Sequence, residues 1–175
     1  MESMRPDDQF AAFVREQTPG LFRVALVLTG DRHRSADLVQ ETLCRLYPKW
    51  DKVQSSDSPA AYVRKALVNQ FLSESRRRMS NELPYSAVPD GVDDRTAEAQ
   101  VDRRLAIAGP LSRLAPKQRA AVTLHFLCDL ADRDGARTMG CTLAAYRGHL
   151  RRGLGELRTS MASPAGAGTS SEGWQ

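Results

Sequence analysis

At 175 residues and a formal charge of +4, with a pI near 9.2, the chain can form one domain or two small ones, and its basic balance favours a polyanionic partner. No apolar run approaches the roughly 20 residues needed to span a bilayer, and the acidic, polar stretch Met1 to Gln9 has no signal-peptide core. A cytoplasmic protein without membrane contact is expected. Cys44, Cys128 and Cys141 have no paired framework, which argues against a disulfide scaffold and suits a reducing compartment.

Charge is unevenly spread. Residues 1 to 79 sum to +3, 80 to 111 to −3 and 112 to 158 to +5, so two basic blocks flank an acidic connector. That pattern suggests two contacts with a polyanion, joined by a segment that avoids it. Apolar residues recur at helical intervals almost throughout, without sustained strand alternation, so the expected fold is all-α. The expected organisation is an N-terminal helical bundle over 1–79, a flexible acidic linker over 80–104, a C-terminal helix-turn-helix domain over 105–161 and a disordered tail over 162–175.

Phe10, Phe13 and Val14 begin a first helix, which Thr18-Pro19 is expected to end or restart, because proline suits a first turn and Thr18 can cap it. Leu21, Val24, Ala25 and Leu28 form the next stripe. Gly30-Asp31 then turns the chain into a helix near Arg34 to Tyr47, with Val39, Leu43, Leu46 and Tyr47 on its buried side and Pro48 as its stop. The face left over carries Asp37, Gln40, Glu41 and Cys44 at steps of three and four residues. Acids near a helix N-terminus also suit the macrodipole, but an acidic and amide stripe in a basic protein can dock a basic helix of a partner.

Ser58-Pro59 opens another helix with a cap and a first-turn proline. Tyr62, Val63, Ala66, Leu67 and Phe71 supply its core side; Lys65, Asn69, Ser73 and Arg76 line the other, and the helix runs out in Arg76-Arg77-Arg78. An amide flanked by cations can contact an exposed base edge while the cations hold phosphates on either side. A solvated face explains the same stripe equally well if it is judged locally. Trp50, in the loop before, suits a core plug better than a base-stacking platform.

Pro84, Pro89, Gly91 and clustered Asp mark the linker. Apolar spacing resumes at Leu105 to Leu114, interrupted by Gly109-Pro110, and Pro116 starts a helix carrying Val122, Leu124, Phe126 and Leu127. After a tight Met139-Gly140-Cys141 turn, Thr142 caps a basic helix whose Leu143, Tyr146, Leu150, Leu154 and Leu157 share one stripe. Arg147, Arg151 and Arg158 take the opposite face. A short helix, a turn and an arginine-bearing helix read as a helix-turn-helix, whose guanidinium groups pair with phosphates or guanine edges in a major groove. Ala162 to Gln175 is too poor in apolar residues to offset its ordering entropy.

Together these blocks resemble the extracytoplasmic-function sigma factors of bacterial RNA polymerase, with a weaker likeness to actinobacterial members in Thr29-Gly30-Asp31 and Ala60-Tyr62. The resemblance rests on Asp37-Leu38-Val39-Gln40-Glu41-Thr42-Leu43 with Leu46-Tyr47 and Trp50-Asp51, on Ala61 to Asn69 with its arginine exit, and on Leu114-Ala115-Pro116-Lys117-Gln118-Arg119 with the helix-turn-helix. It implies that Asp37, Leu38, Gln40 and Glu41 bind the clamp coiled coil of the largest subunit of core RNA polymerase. It implies that Trp50, Arg64, Lys65, Asn69, Arg76 and Arg77 contact the downstream promoter element, with Asn69 holding an extruded base. Flipping a base costs a few kcal/mol of unstacking, which pocket hydrogen bonds offset.

In the C-terminal domain the resemblance implies that Arg147 and Arg151 read the upstream promoter element, with Thr142, Ala144, His149 and Arg152 around them. Further implied partners are the flap of the second-largest subunit and an anti-sigma factor or accessory activator. No cofactor is implied, and DNA opening draws on binding energy without catalysis by this chain.

The helix-turn-helix departs from the family pattern. Gly135 stands where an aliphatic core residue is usual, at a cost of about 1 kcal/mol in helix propensity, and Ala144-Ala145-Tyr146 replaces a small-polar and valine pattern. Gly148, Gly153 and Gly155 are expected to loosen the second helix further, so upstream binding is expected to be weak or unusual. His125, Cys128, Cys141 and His149 match no common zinc spacing, and no phosphate loop or nucleophile signature occurs. The alternatives are a stand-alone helix-turn-helix regulator and a sigma-like adaptor that binds polymerase without reading promoters.

Overall fold

The computed structural model describes residues 5–81 and 109–162, and among these every regular element is helical. The first helix, α1 (Pro6–Thr29), starts with proline in its first turn beside Asp7 and Asp8, where negative charge favours the helix N-terminus. It ends at Gly30, whose left-handed φ of 71° is open to glycine at low cost. Contrary to expectation, α1 runs unbroken through Pro19. Thr18 Oγ1 donates to the Val14 carbonyl at 2.6 Å, so it bonds back into the running helix instead of capping a new one. The apolar positions on either side of Pro19 pack onto one core, and that burial outweighs the roughly 3 kcal/mol cost of an interior proline.

The second helix, α2 (Arg32–Leu46), is capped by Asp31, whose carboxylate accepts from the Arg34 amide at 2.7 Å. As expected, α2 ends just before Pro48, which sits in a 3-10 turn, Tyr47–Lys49, leading into the short helix α3 (Trp50–Gln54). The fourth helix, α4 (Pro59–Asn81), begins as expected, with Ser58 Oγ accepting from the Ala61 amide at 3.3 Å. The acidic connector expected over 80–104 lies, from 82 onward, outside the described residues, as does the tail from 163.

A helical turn at 109–112 precedes α5 (Pro116–Phe126), α6 (Asp132–Met139) and α7 (Leu143–Ala162). Gly140, at φ 63°, makes the left-handed turn after α6. Thr142 Oγ1 then accepts the Ala145 amide at 3.2 Å, capping α7.

The two helical domains pack against each other, a relation that no local pattern in the chain encodes. One apolar cluster contains Leu28, Leu67 and Phe71 from the first domain together with Ala120, Ala121, Leu124 and Tyr146 from the second. A smaller one joins Leu111, Leu114 and Val122 to Val27 and the Leu150, Leu154 and Leu157 stripe. Arg119 of α5 ties the seam. Its guanidinium donates to the Leu28 carbonyl across the boundary and to the Ser112 and Leu114 carbonyls at 2.6 and 2.9 Å. It also lies 5.8 Å from the Phe71 ring centroid. Burial, and secondarily the neighbouring Arg34, pull its pKa down to about 10.

Candidate nucleic-acid interface

The helix-turn-helix core is built around one aromatic ring. Tyr146, on the buried side of α7, is fully enclosed, and its hydroxyl donates to the Ala121 carbonyl at 3.2 Å. A Cβ on Gly135 would fall 2.4 Å from Tyr146 Cζ. The two departures from the usual pattern therefore answer each other, because a missing side chain on α6 makes the space that a larger one on α7 fills. Gly153 serves close approach as well, since a Cβ there would sit 3.1 Å from Val122 Cγ2 of α5. The loosening expected of Gly135 and Gly153 is thus replaced by tight contact. At Gly148 and Gly155 an added Cβ would meet ordinary contact or open space.

With that core closed, Ala144, Arg147 and Arg151 share an exposed face at steps of three and four residues. Arg147 Nε donates to Asp132 Oδ2 of α6 at 2.8 Å. Arg152 Nη2 lies 3.3 Å from His149 Nδ1; since arginine only donates, Nδ1 accepts and Nε2 carries the ring proton. Burial, then Arg152 and Lys117, lower the His149 pKa, which keeps that ring neutral at physiological pH. Thr142 is exposed, with its hydroxyl engaged as the cap.

In the N-terminal domain, Asp37, Gln40, Glu41 and Cys44 all face outward on α2. Glu41 is paired with Arg45 at 2.6 Å, an exposed i,i+4 contact worth only a few tenths of a kcal/mol. Leu38 must be corrected: it is 1% exposed and supports the helix from within, because its position in the repeat points at the core. Beside the acidic stripe lies a groove of about 610 Å³ between α1 and α2, lined by Phe10, Val14, Phe22, Ala36, Gln40 and Tyr47 among others. Sequence reasoning missed it, although Phe22 and Ala36, unplaced in any apolar stripe, were a signal.

On α4, Lys65, Asn69, Ser73 and Arg76 share one face, and Arg76 Nη2 donates to Ser73 Oγ at 3.2 Å. Arg77 is exposed next to them. Two expected members do not join this face. Trp50 is 7% exposed, with its ring centroid 5.2 Å from that of Phe10 and 5.0 Å from that of Phe13, so it is a core residue with no free face for a base. Arg64 turns its half-buried side chain toward the other domain, close enough to Cys128 to offset part of the upward pKa shift that burial gives that thiol. Five residues separate it from Asn69, which puts the two well apart around the helix.

Comparison with known proteins places these surfaces in matched regions. The Sigma-70 region 2 family model matches residues 13–80 and the Sigma-70 region 4 model residues 104–157. The chain is similar to the RNA polymerase sigma-E factor of Streptomyces avermitilis, at 31% identity over 89% of this chain and 86% of that one. It is also similar to the ECF RNA polymerase sigma factor SigE of Mycolicibacterium smegmatis, at 30% identity over 85% of this chain and 60% of that one. Among solved structures, the sigma factor RpoE in complex with the anti-sigma factor NepR from Bartonella quintana shares the fold, with a TM-score of 0.63 and 21% identity over 88% of this chain and 97% of that one.

Proposed function

The chain belongs to the extracytoplasmic-function sigma factors of bacterial RNA polymerase, and from that premise we propose how its surfaces divide the work. As a sigma factor of this group it binds core RNA polymerase and directs promoter-specific transcription initiation, with promoter DNA as its second partner. Asp37, Gln40 and Glu41 meet basic side chains of the clamp coiled coil of the largest subunit. Exposed charge alone gives little affinity, so the apolar groove beside them supports this assignment by offering area to bury.

Lys65, Asn69, Arg76 and Arg77 hold the opened downstream element, with Asn69 at the extruded base and the cations on phosphates. Arg147 and Arg151 read base edges of the upstream element, while Ala144 keeps their surroundings open and Thr142, His149 and Arg152 lie nearer the backbone. The exposed Phe126 and Leu127 at the end of α5 suit the flap of the second-largest subunit. The chain acts in the cytoplasm and makes or breaks no covalent bond itself. By likeness to the relative solved with an anti-sigma factor, we extend such a regulator, or an accessory activator, to this chain.

The observation that carries this reading is the separation of charge by surface: an outward acidic stripe on α2 beside an apolar groove, and outward arginines on a closed helix-turn-helix. Reconstituted initiation tests it. Joint replacement Asp37→Lys and Glu41→Lys should lower core affinity by at least about 10-fold, since each lost charge-assisted contact is worth roughly 1 kcal/mol or more. Arg147→Ala with Arg151→Ala should keep core affinity and lose the upstream footprint. Unchanged core binding in the first variant, or an intact footprint in the second, would remove the corresponding surface.

A further inference from the structure

We propose that Asp132, at the start of α6, is a positioning residue that orients Arg147 for recognition of one guanine in the upstream element. The proposal rests on the reading that α7 lies in the major groove. Arg147 is the exposed partner, its side chain 63% accessible, whereas Asp132 is held back at 26%. The contact spans fifteen residues and joins the first helix of the motif to the second. It engages Nε, which leaves the Nη1 and Nη2 edge free, and that edge is the fork that meets guanine O6 and N7.

The carboxylate is itself located from a third direction. Its Oδ1 lies 3.5 Å from His125 Nδ1 of α5, without forming a hydrogen bond. The His125 ring in turn packs edge-on against Phe126, with centroids 4.7 Å apart. Asp132 therefore lies beside side chains of both α5 and α7, and its hydrogen bond to Arg147 Nε is what links the direction of that side chain to α6. Among the described residues no carboxylate pairs with Arg151, Arg152 or Arg158. A free arginine loses much rotamer freedom on binding, and one already held loses less. The pair thus marks Arg147 as the base reader that is oriented before DNA arrives, whereas Arg151, with no carboxylate partner among the described residues, meets its base edge from a free rotamer.

The test uses holoenzyme assembled from core polymerase and the full chain, on a library varied across the upstream element. Arg147→Ala should reduce discrimination at one base pair by roughly 10-fold. Asp132→Ala should reduce it several-fold at that same base pair, the double variant should lose no more than Arg147→Ala alone, and core affinity should stay unchanged. Asp132→Asn, which keeps an acceptor oxygen and the side-chain size, should fall between wild type and Asp132→Ala, and it serves as the test if the alanine variant fails to fold.

A base profile unchanged in the Asp132 variants while Arg147→Ala relaxes it would overturn the positioning role and leave the reading of α7 intact. A profile unchanged in Arg147→Ala would overturn both. Tighter binding to all sequences in Asp132→Ala would show that the carboxylate restrains Arg147 from DNA, and would overturn the proposal as well.

Discussion

The two domains solve the same packing problem differently. In the N-terminal bundle the interior is shared among many side chains of similar size, including Leu21, Leu28, Leu38, Val53, Val63 and Leu67. In the helix-turn-helix the junction of α6 and α7 is concentrated in one ring seated against one glycine. A distributed core spreads the effect of a substitution over several neighbours. A concentrated one makes the placement of an exposed helix depend on a single fit, and the arginines of α7 inherit that dependence.

The comparison breaks most directly at the notch. Gly135→Ala puts a methyl 2.4 Å from Tyr146 Cζ, and because that ring is enclosed and hydrogen-bonded, making room means displacing it from its seat. Overpacking of this kind costs about 1–3 kcal/mol, opposite in sign to the helix-propensity gain that alanine normally brings. Thermal or urea unfolding should show the loss; equal or greater stability in the variant would mean that the notch is loose.

Tyr146→Phe keeps the ring and removes its hydrogen bond, a loss of about 1 kcal/mol near neutral pH. Burial, with Asp132 and the two nearby thiols adding to it, raises the Tyr146 pKa from 10.0 to about 12. The neutral phenol is therefore favoured by the folded state, and its contribution is complete below pH 10 and falls away as pH rises through about 12. The advantage of wild type over the variant should shrink across that window in unfolding measured at stepped pH. A constant difference would contradict the burial of the hydroxyl.

The smallest effect sharpens the contrast within one helix. Gly155 has nothing within 4 Å of a built Cβ, so Gly155→Ala should stabilise α7 by about 0.5–1 kcal/mol through backbone entropy alone. Destabilisation on the same unfolding assay would show that α7 tolerates no added side chain even where space is open.

What was legible in the chain was largely what is decided within a few residues. Gly30-Asp31 and Gly140 as turns, Ser58-Pro59 as a start and Thr142 as a cap all act through local hydrogen bonds or backbone conformation. The outward faces of α2, α4 and α7 followed from helical period. Pro19 runs against its local signal because the penalty is outweighed by packing that the chain supplies from elsewhere. For Leu38 and Trp50 the family resemblance implies a surface role, whereas burial is decided by what closes over them, and for Trp50 the local reading as a core plug agrees with its burial.

The matching of Gly135 to Tyr146 and the pairing of Asp132 with Arg147 join positions 11 and 15 residues apart across a turn. Each half of such a pair looks like a defect or an ordinary surface residue until the other is in place. The groove between α1 and α2 has the same origin, since it is a property of two helices and of neither alone.

Arg119 gives the seam between the domains an unusual thermodynamic character. A guanidinium shielded from water, held by carbonyls of both domains and resting near an aromatic face, is well ordered but not well hydrated. Parting the seam would strip away the Leu28 carbonyl and the Phe71 ring, yet it would also let solvent back onto a full positive charge. The two changes oppose each other, so this side chain lends the closed arrangement geometric definition while adding little resistance to separation.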